Sequence, residues 1–114
     1  MKQRCTLKKN SEFRRLYTKG KSAVSPYLVV YCRKNRTVEN RLGYTVSTKL
    51  GHAVVRNRVR RRLREIVRLN SPALARGYDI VIVARSRAVG ASYQKLDAAF
   101  LRCCRELGLT EATP

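Results

Sequence analysis

The segment from His52 to Arg68 concentrates the residues with most chemistry to offer: Arg56, Arg58, Arg60, Arg61, Arg62, Arg64 and Arg68, offset only by Glu65. A guanidinium carries a permanent charge and a planar fork of donors that grips phosphate bidentately and stacks on bases. Like charges three and four residues apart oppose helix formation by roughly 0.2–0.5 kcal/mol per pair, so such a helix makes sense beside phosphates. With Val55 at zero on a wheel of about 100° per residue, Val59, Leu63, Ile66 and Val67 fall within about 120°, and Arg58, Arg61, Arg64 and Arg68 spread over the opposite side. One face is core and the other a cationic blade. Cations at a helix start act against its dipole unless an anion lies there, which predicts a phosphate near Arg56 and Arg58. A solvated charged face is the ordinary meaning of a mixed Lys and Glu helix, but seven arginines against one glutamate favour binding.

A second constellation is aromatic. Phe13 and Tyr17 share one face of a short N-terminal helix, and Tyr27 and Tyr31 share one face of the first long strand. Helix packed on strand would make them a groove in which RNA bases stack, at about 1–3 kcal/mol per base. Lys8, Lys9, Arg14, Arg15 and Lys19 would supply its charge. The same rings read equally well as ordinary core, and pattern alone leaves the two even.

The whole-chain charge agrees with the first reading. In 114 residues, 26 Lys and Arg stand against 7 Asp and Glu, a net +19, with a sequence pI near 10.9. A surface of that charge calls for a polyanion and for affinity that falls steeply with salt. Arginine outnumbers lysine 18 to 8, a bias suited to specific RNA contact. No helix pattern has one apolar face flanked only by Lys and Arg, which ranks a membrane surface well below RNA. The inventory for a protein-centred enzyme is poor, with scattered carboxylates and one histidine, His52, that no nucleophile motif matches. No metal site is expected, because Cys5, Cys32, Cys103 and Cys104 show no C-x-x-C spacing. With no signal peptide or spanning apolar run, the thiols are expected to be reduced in a cytoplasm, Cys103 within the core.

The elements that must position these residues are legible as periodicities. Ser11 to Lys19 reads as a helix capped by Asn10 or Ser11, with Gly20 beyond it. The pattern at Lys21 to Val24 allows a brief extra strand; Tyr27 to Cys32 and Arg41 to Ser47 read as strands, the latter with Leu42, Tyr44 and Val46 on one face. The polar link from Lys34 to Asn40 makes those two an expected antiparallel hairpin. Ala53 to about Leu69 is the cationic helix, ended by Asn70-Ser71-Pro72. Tyr78 to Ala84 is an almost continuous apolar strand, expected at the centre of a sheet. Ser92 opens a last helix with Leu96, Ala99, Phe100, Cys103 and Leu107 on one stripe and Gly108 at its end. Three helices against one sheet of about four strands give an α+β two-layer sandwich. With no linker or repeat, a single RNA-binding domain spans residues 1–114, its ordered core at about 5–108.

The block Gly43-Tyr44-Thr45-Val46-Ser47-Thr48-Lys49, then Gly51, Ala53-Val54 and Arg56-Asn57-Arg58-Val59-Arg60-Arg61, closely resembles the bacterial ribonuclease P protein family. Leu7-Lys8-Lys9 with Phe13, Tyr17 and Gly20 resembles that family's N-terminal helix, so the likeness covers about residues 5 to 107. The resemblance implies the order α-β-β-β-α-β-α, a mixed sheet, and a left-handed crossover through the RNR helix where general rules favour right-handed. It implies that the protein itself needs no cofactor and has no catalytic residue, catalysis belonging to magnesium ions on an RNA subunit. On matching positions, Arg56, Asn57, Arg58, Arg60, Arg61 and Arg64 would face that RNA. Phe13, Tyr17, Tyr31 and Lys49, with Lys8 and Lys9, would line a cleft for the 5′ leader of precursor tRNA. The implied partners are ribonuclease P RNA and precursor tRNA, with no protein partner. Two rivals remain, a basic structural ribosomal protein and a free-standing endoribonuclease built on His52.

Overall fold

Strand β4 (Tyr78–Ala84) organises the molecule, because its run Ile80-Val81-Ile82 is apolar on both faces and each of the three is fully buried. A computed structural model describes Leu7 and residues 10–110. Along the chain come α1 (Asn10–Lys19), β1 (Lys21–Val24), β2 (Leu28–Lys34), β3 (Arg41–Thr45), α2 (Ala53–Asn70), β4 and α3 (Tyr93–Glu106). The four strands form one sheet in the order β1-β2-β4-β3. β1 pairs antiparallel with β2, β2 antiparallel with β4, and β3 parallel with β4. The α+β class, the mixed four-stranded sheet, the three helices and their order agree with the sequence expectation, and the short strand at Lys21 is present.

The expected hairpin of β2 with β3 does not form, since β4 lies between them. The polar link reverses the chain but crosses the start of β4 on the way and is pinned there. Asn35 N–H donates to Gly77 O at 2.8 Å, Asn40 Nδ2 donates to Ala75 O at 2.8 Å, and Tyr78 N–H donates to Asn40 Oδ1 at 2.8 Å. Gly77, at φ +87°, is required, because a Cβ there would meet Thr37 O at 2.7 Å. A strand apolar on both faces gains most at the centre of the sheet, and this outweighs the proximity of β2 and β3 in sequence.

The two faces of the sheet are covered unequally. Leu28, Val30, Cys32, Ile80 and Ile82 pack on Val59, Leu63, Ile66 and Val67 of α2 and on Leu96, Phe100, Cys103 and Cys104 of α3, forming the main core. This is the stripe expected of α2, with Val55 half-buried at its end. The other face carries a small cluster of Leu7, Leu16 and Val81, with Phe13, Tyr31 and Val83 at its margin, under the single short helix α1. At α3 the capping agrees with the sequence, since Ser92 Oγ accepts the Lys95 N–H at 3.2 Å, whereas α1 already includes Asn10 and Ser11, the residues expected to cap it. Asn70 ties the end of α2 to α3 by donating to Asp97 Oδ1 at 2.9 Å.

Cys103 is core as expected, and Cys32 and Cys104 join it as free thiols; Cys5 lies outside the described residues. Burial pushes all three thiols up, that of Cys104 to about 12, so they stay protonated and unreactive.

Candidate nucleic-acid interface

The main core fixes α2 along one side and leaves its arginines to solvent, where they differ in what they touch. Arg58 and Arg61 are exposed and make no hydrogen bond or ion pair among the described residues. Arg56 Nε donates to Gly51 O at 3.1 Å, and Arg60 Nη1 donates to Asn57 Oδ1 at 3.2 Å, which orders those side chains along the helix. The Arg64 guanidinium lies 6.0 Å from the Tyr44 ring centroid. Burial pushes the Tyr44 hydroxyl up to about 12. Two of the seven are less available: Arg62 donates to Ala91 O at 3.3 Å, and Arg68 pairs with Glu65 at 2.6 Å. The first turn of α2 contains no carboxylate, and the His52 side chain makes no capping bond.

A groove of about 470 Å³ wraps the upper edge of β3, between α1 and α2. Asn10, Phe13, Arg14 and Tyr17 form one wall, Arg60 reaches it from α2, and Tyr44, Thr45 and Val46 form the floor. Phe13 can lie this close because position 43 is glycine: a Cβ there would meet the ring at 2.7 Å. Tyr17 is 40% exposed, enough to offer a ring face to solvent. Its hydroxyl shares a hydrogen bond with Thr45 Oγ1 at 2.9 Å, and its ring meets that of Tyr31 edge to face at 4.9 Å between centroids.

Of the aromatics expected to share a face, Phe13, Tyr17 and Tyr31 come together and Tyr27 does not. It packs with the main core on the other side of the sheet. Its N–H and that of Leu28 both donate to Ser25 Oγ, at 3.2 and 3.0 Å, so the chain turns here and strand alternation begins only at Leu28. Tyr31 backs Tyr17 rather than lining the groove. Lys49 is exposed in the 3-10 turn between β3 and α2, and Lys8 and Lys9 lie outside the described residues. The sequence pattern does not mark Tyr44 and Thr45 as groove residues and assigns Arg60 only to the cationic helix. Their shared position follows from β3 being an edge strand, which local sequence does not reveal.

An ion-pair network ties the start of α1 to the sheet. Arg41 grips Asp79 with two parallel bonds, Nε to Oδ1 at 2.9 Å and Nη2 to Oδ2 at 2.8 Å, and its Nη1 reaches Glu12 Oε2 at 2.9 Å. Asn35 Nδ2 also donates to Asp79 Oδ1 at 2.9 Å. Burial alone would raise the Asp79 carboxyl, but the bonds from Arg41 and Asn35 prevail and hold it below its ordinary value. Among the described residues no three His, Cys, Asp or Glu side chains converge as a metal site.

The family model for ribonuclease P matches residues 1–108. The chain belongs to the ribonuclease P protein family. The ribonuclease P protein component of Natranaerobius thermophilus is 41% identical over 111 residues, covering 97% of this chain and 96% of that one. That of Alkaliphilus oremlandii is 43% identical over 103 residues, 90% of each chain. Among solved structures, the Staphylococcus aureus RNase P protein superposes with a TM-score of 0.86 at 30% identity, over 96% of this chain and all of that one. The Thermotoga maritima RNase P protein gives 0.82 at 30% identity, over 92% of this chain and 97% of that one. As a ribonuclease P protein component, the chain is a subunit of a ribonucleoprotein endoribonuclease of tRNA processing, and its partner is an RNA. No described helix is long and apolar enough to cross a membrane.

Proposed function

We propose that the two surfaces divide the work of the holoenzyme between two RNAs in the cytoplasm. The outer side of α2, through Arg56, Asn57, Arg58, Arg60, Arg61 and Arg64, binds the catalytic ribonuclease P RNA. The groove between α1 and β3, with Phe13 and Tyr17 as stacking platforms and Tyr31 behind them, takes the single-stranded 5′ leader of precursor tRNA. Lys8, Lys9 and Lys49 add charge along the leader's path. Magnesium ions held by the RNA supply the chemistry of phosphodiester hydrolysis, and the protein has no catalytic residue. It offsets the repulsion between the two polyanions and adds leader contacts, so the holoenzyme needs less magnesium.

The observation that carries this reading is the pairing of two unlike RNA-compatible surfaces on one small frame. One is an arginine helix whose Arg58 and Arg61 guanidinia pair with nothing among the described residues, and the other is a groove lined by Phe13 and Tyr17. Phosphate gripping suits a folded RNA whose bases are already paired, whereas stacking suits a single strand whose bases are free. Cross-linking tests the division. A photoreactive base in the leader of precursor tRNA, in reconstituted holoenzyme, is expected to label the peptide containing Phe13 and Tyr17. Labelling of the α2 peptide alone would overturn the assignment.

A further inference from the structure

We propose that Arg41 is a positioning residue for the leader groove: held by Asp79 of β4, it clamps Glu12 of α1 and so sets the placement of Phe13 and Tyr17 over the sheet. The inference rests on the reading of the groove as the leader site. α1 is ten residues long and buries one side chain, Leu16, completely. A helix of that length with so little buried surface is weakly held by packing. Directed bonds therefore carry much of its placement, and among the described residues two such side-chain contacts tie it to the sheet. Near its end, Tyr17 shares the hydrogen bond with Thr45. In its first turn, Glu12 meets Arg41, next in sequence to Phe13.

The geometry of the clamp suits positioning. The Arg41 guanidinium is planar, and two of its nitrogens are engaged by both Asp79 oxygens, so its third nitrogen points in a fixed direction. Asp79 is itself fixed, with its side chain 16% exposed and a further bond from Asn35. Glu12 thus meets a cation whose orientation comes from the central strand. Arg41 also lies two residues before Gly43 on the same face of β3, and Gly43 is where the Phe13 ring rests. The clamp and the bare backbone that receives the ring are consecutive steps on one strand.

Charge gives the inference a distinctive test. Glu12 and Asp79 are two of only seven carboxylates in a chain of net charge +19. Neutralising Glu12 raises the positive charge beside the groove, and simple attraction would then strengthen RNA binding. A positioning role requires the reverse for the leader. The experiment compares holoenzyme affinity for precursor tRNA bearing a long leader with affinity for the same tRNA bearing one leader nucleotide. Their ratio isolates the leader's contribution, and affinity of the protein for ribonuclease P RNA is measured alongside.

In Glu12→Gln, which leaves the bidentate Arg41–Asp79 pair intact, the ratio is expected to fall about three- to tenfold, the range of a partly exposed ion pair and its consequence for one stacked ring. Affinity for ribonuclease P RNA should stay within about twofold, since α2 is held by the other core. Arg41→Gln should lower the ratio at least as far. It also strands the Asp79 carboxylate, so Glu12→Gln decides if the arginine variant folds poorly. Loss of affinity for both RNAs together in Glu12→Gln would mean general destabilisation and would overturn the proposal. So would an unchanged or increased ratio in Glu12→Gln while Phe13→Ala lowers it, with the groove reading left standing. If Phe13→Ala also leaves the ratio unchanged, the groove reading itself fails.

Discussion

The two faces of the sheet are built to different standards. Under α2 and α3, β2 and β4 meet a continuous cluster of aliphatic side chains with Phe100 at 1% exposure, while under α1, among the described residues, only Leu7, Leu16 and Val81 are fully enclosed. The first face resembles the interior of a larger protein. On the second, the large apolar groups Phe13, Tyr17 and Tyr31 sit at the margin, partly wet, where a base can reach a ring. Burying them would have added stability and removed the groove. The asymmetry therefore separates what holds the fold from what meets a single-stranded ligand, and the arginine helix draws its rigidity from the well-packed side.

The widest test of this contrast is a pair of truncations. Phe100→Ala should lower the unfolding free energy by about 3–5 kcal/mol, read by urea denaturation. Phe13→Ala, on the thin face, should cost only about 1 kcal/mol of stability and yet weaken leader binding by about 1–3 kcal/mol. Equal destabilisation by the two would break the contrast. Gly43→Ala sharpens it: the added methyl meets the edge of a movable ring, so melting should change little, whereas leader affinity should drop about fivefold, near 1 kcal/mol. A variant that melts much earlier instead would show the thin face to be rigid.

Arg58→Ala probes the third surface, the outside of α2. Affinity for ribonuclease P RNA should fall and the slope of log affinity against log salt should become shallower by about 1, as expected for one lost phosphate contact. Leader discrimination should be unaffected. An unchanged slope would remove Arg58 from the RNA-binding set.

The smallest effects are those of pH. Asp79 has a folded-state value below its ordinary one, so its stabilisation is present above about pH 4 and is lost as pH falls below that. Asp79→Asn should therefore flatten the acid limb of a stability profile. The raised groups act at the other end. Cys104 and Tyr44 move from 9.0 and 10.0 to about 12, so their contributions are complete below pH 9 and decline as pH rises toward 12. Thiol labelling should accordingly be slow in the folded state and accelerate where alkaline unfolding begins.

Much of this frame was legible in the sequence. The boundaries of β4 and the stripe of α2 follow from hydrophobic period, and the cationic side of α2 follows from counting its arginines. The failures share one cause, which is that pairing between distant segments is not a local property. Asn35 and Asn40 look like hairpin-turn residues, and their side chains in fact bond the start of β4 some forty positions on. Tyr27 keeps the parity of Tyr31 in the sequence, but the turn at Ser25 holds it outside the strand and its ring packs with the main core. Thr45 and Arg60 meet at one groove because β3 is an edge, which depends on β4 taking the centre. Local pattern thus yields the order of elements along the chain but not the order of strands in the sheet.

The most direct test of the central claim is cleavage of a precursor tRNA by a bacterial ribonuclease P RNA at low magnesium, with and without this protein. Accurate removal of the 5′ leader only when both are present is the expected result. Absence of stimulation by a folded protein that binds the RNA would contradict it and favour a structural role in another ribonucleoprotein.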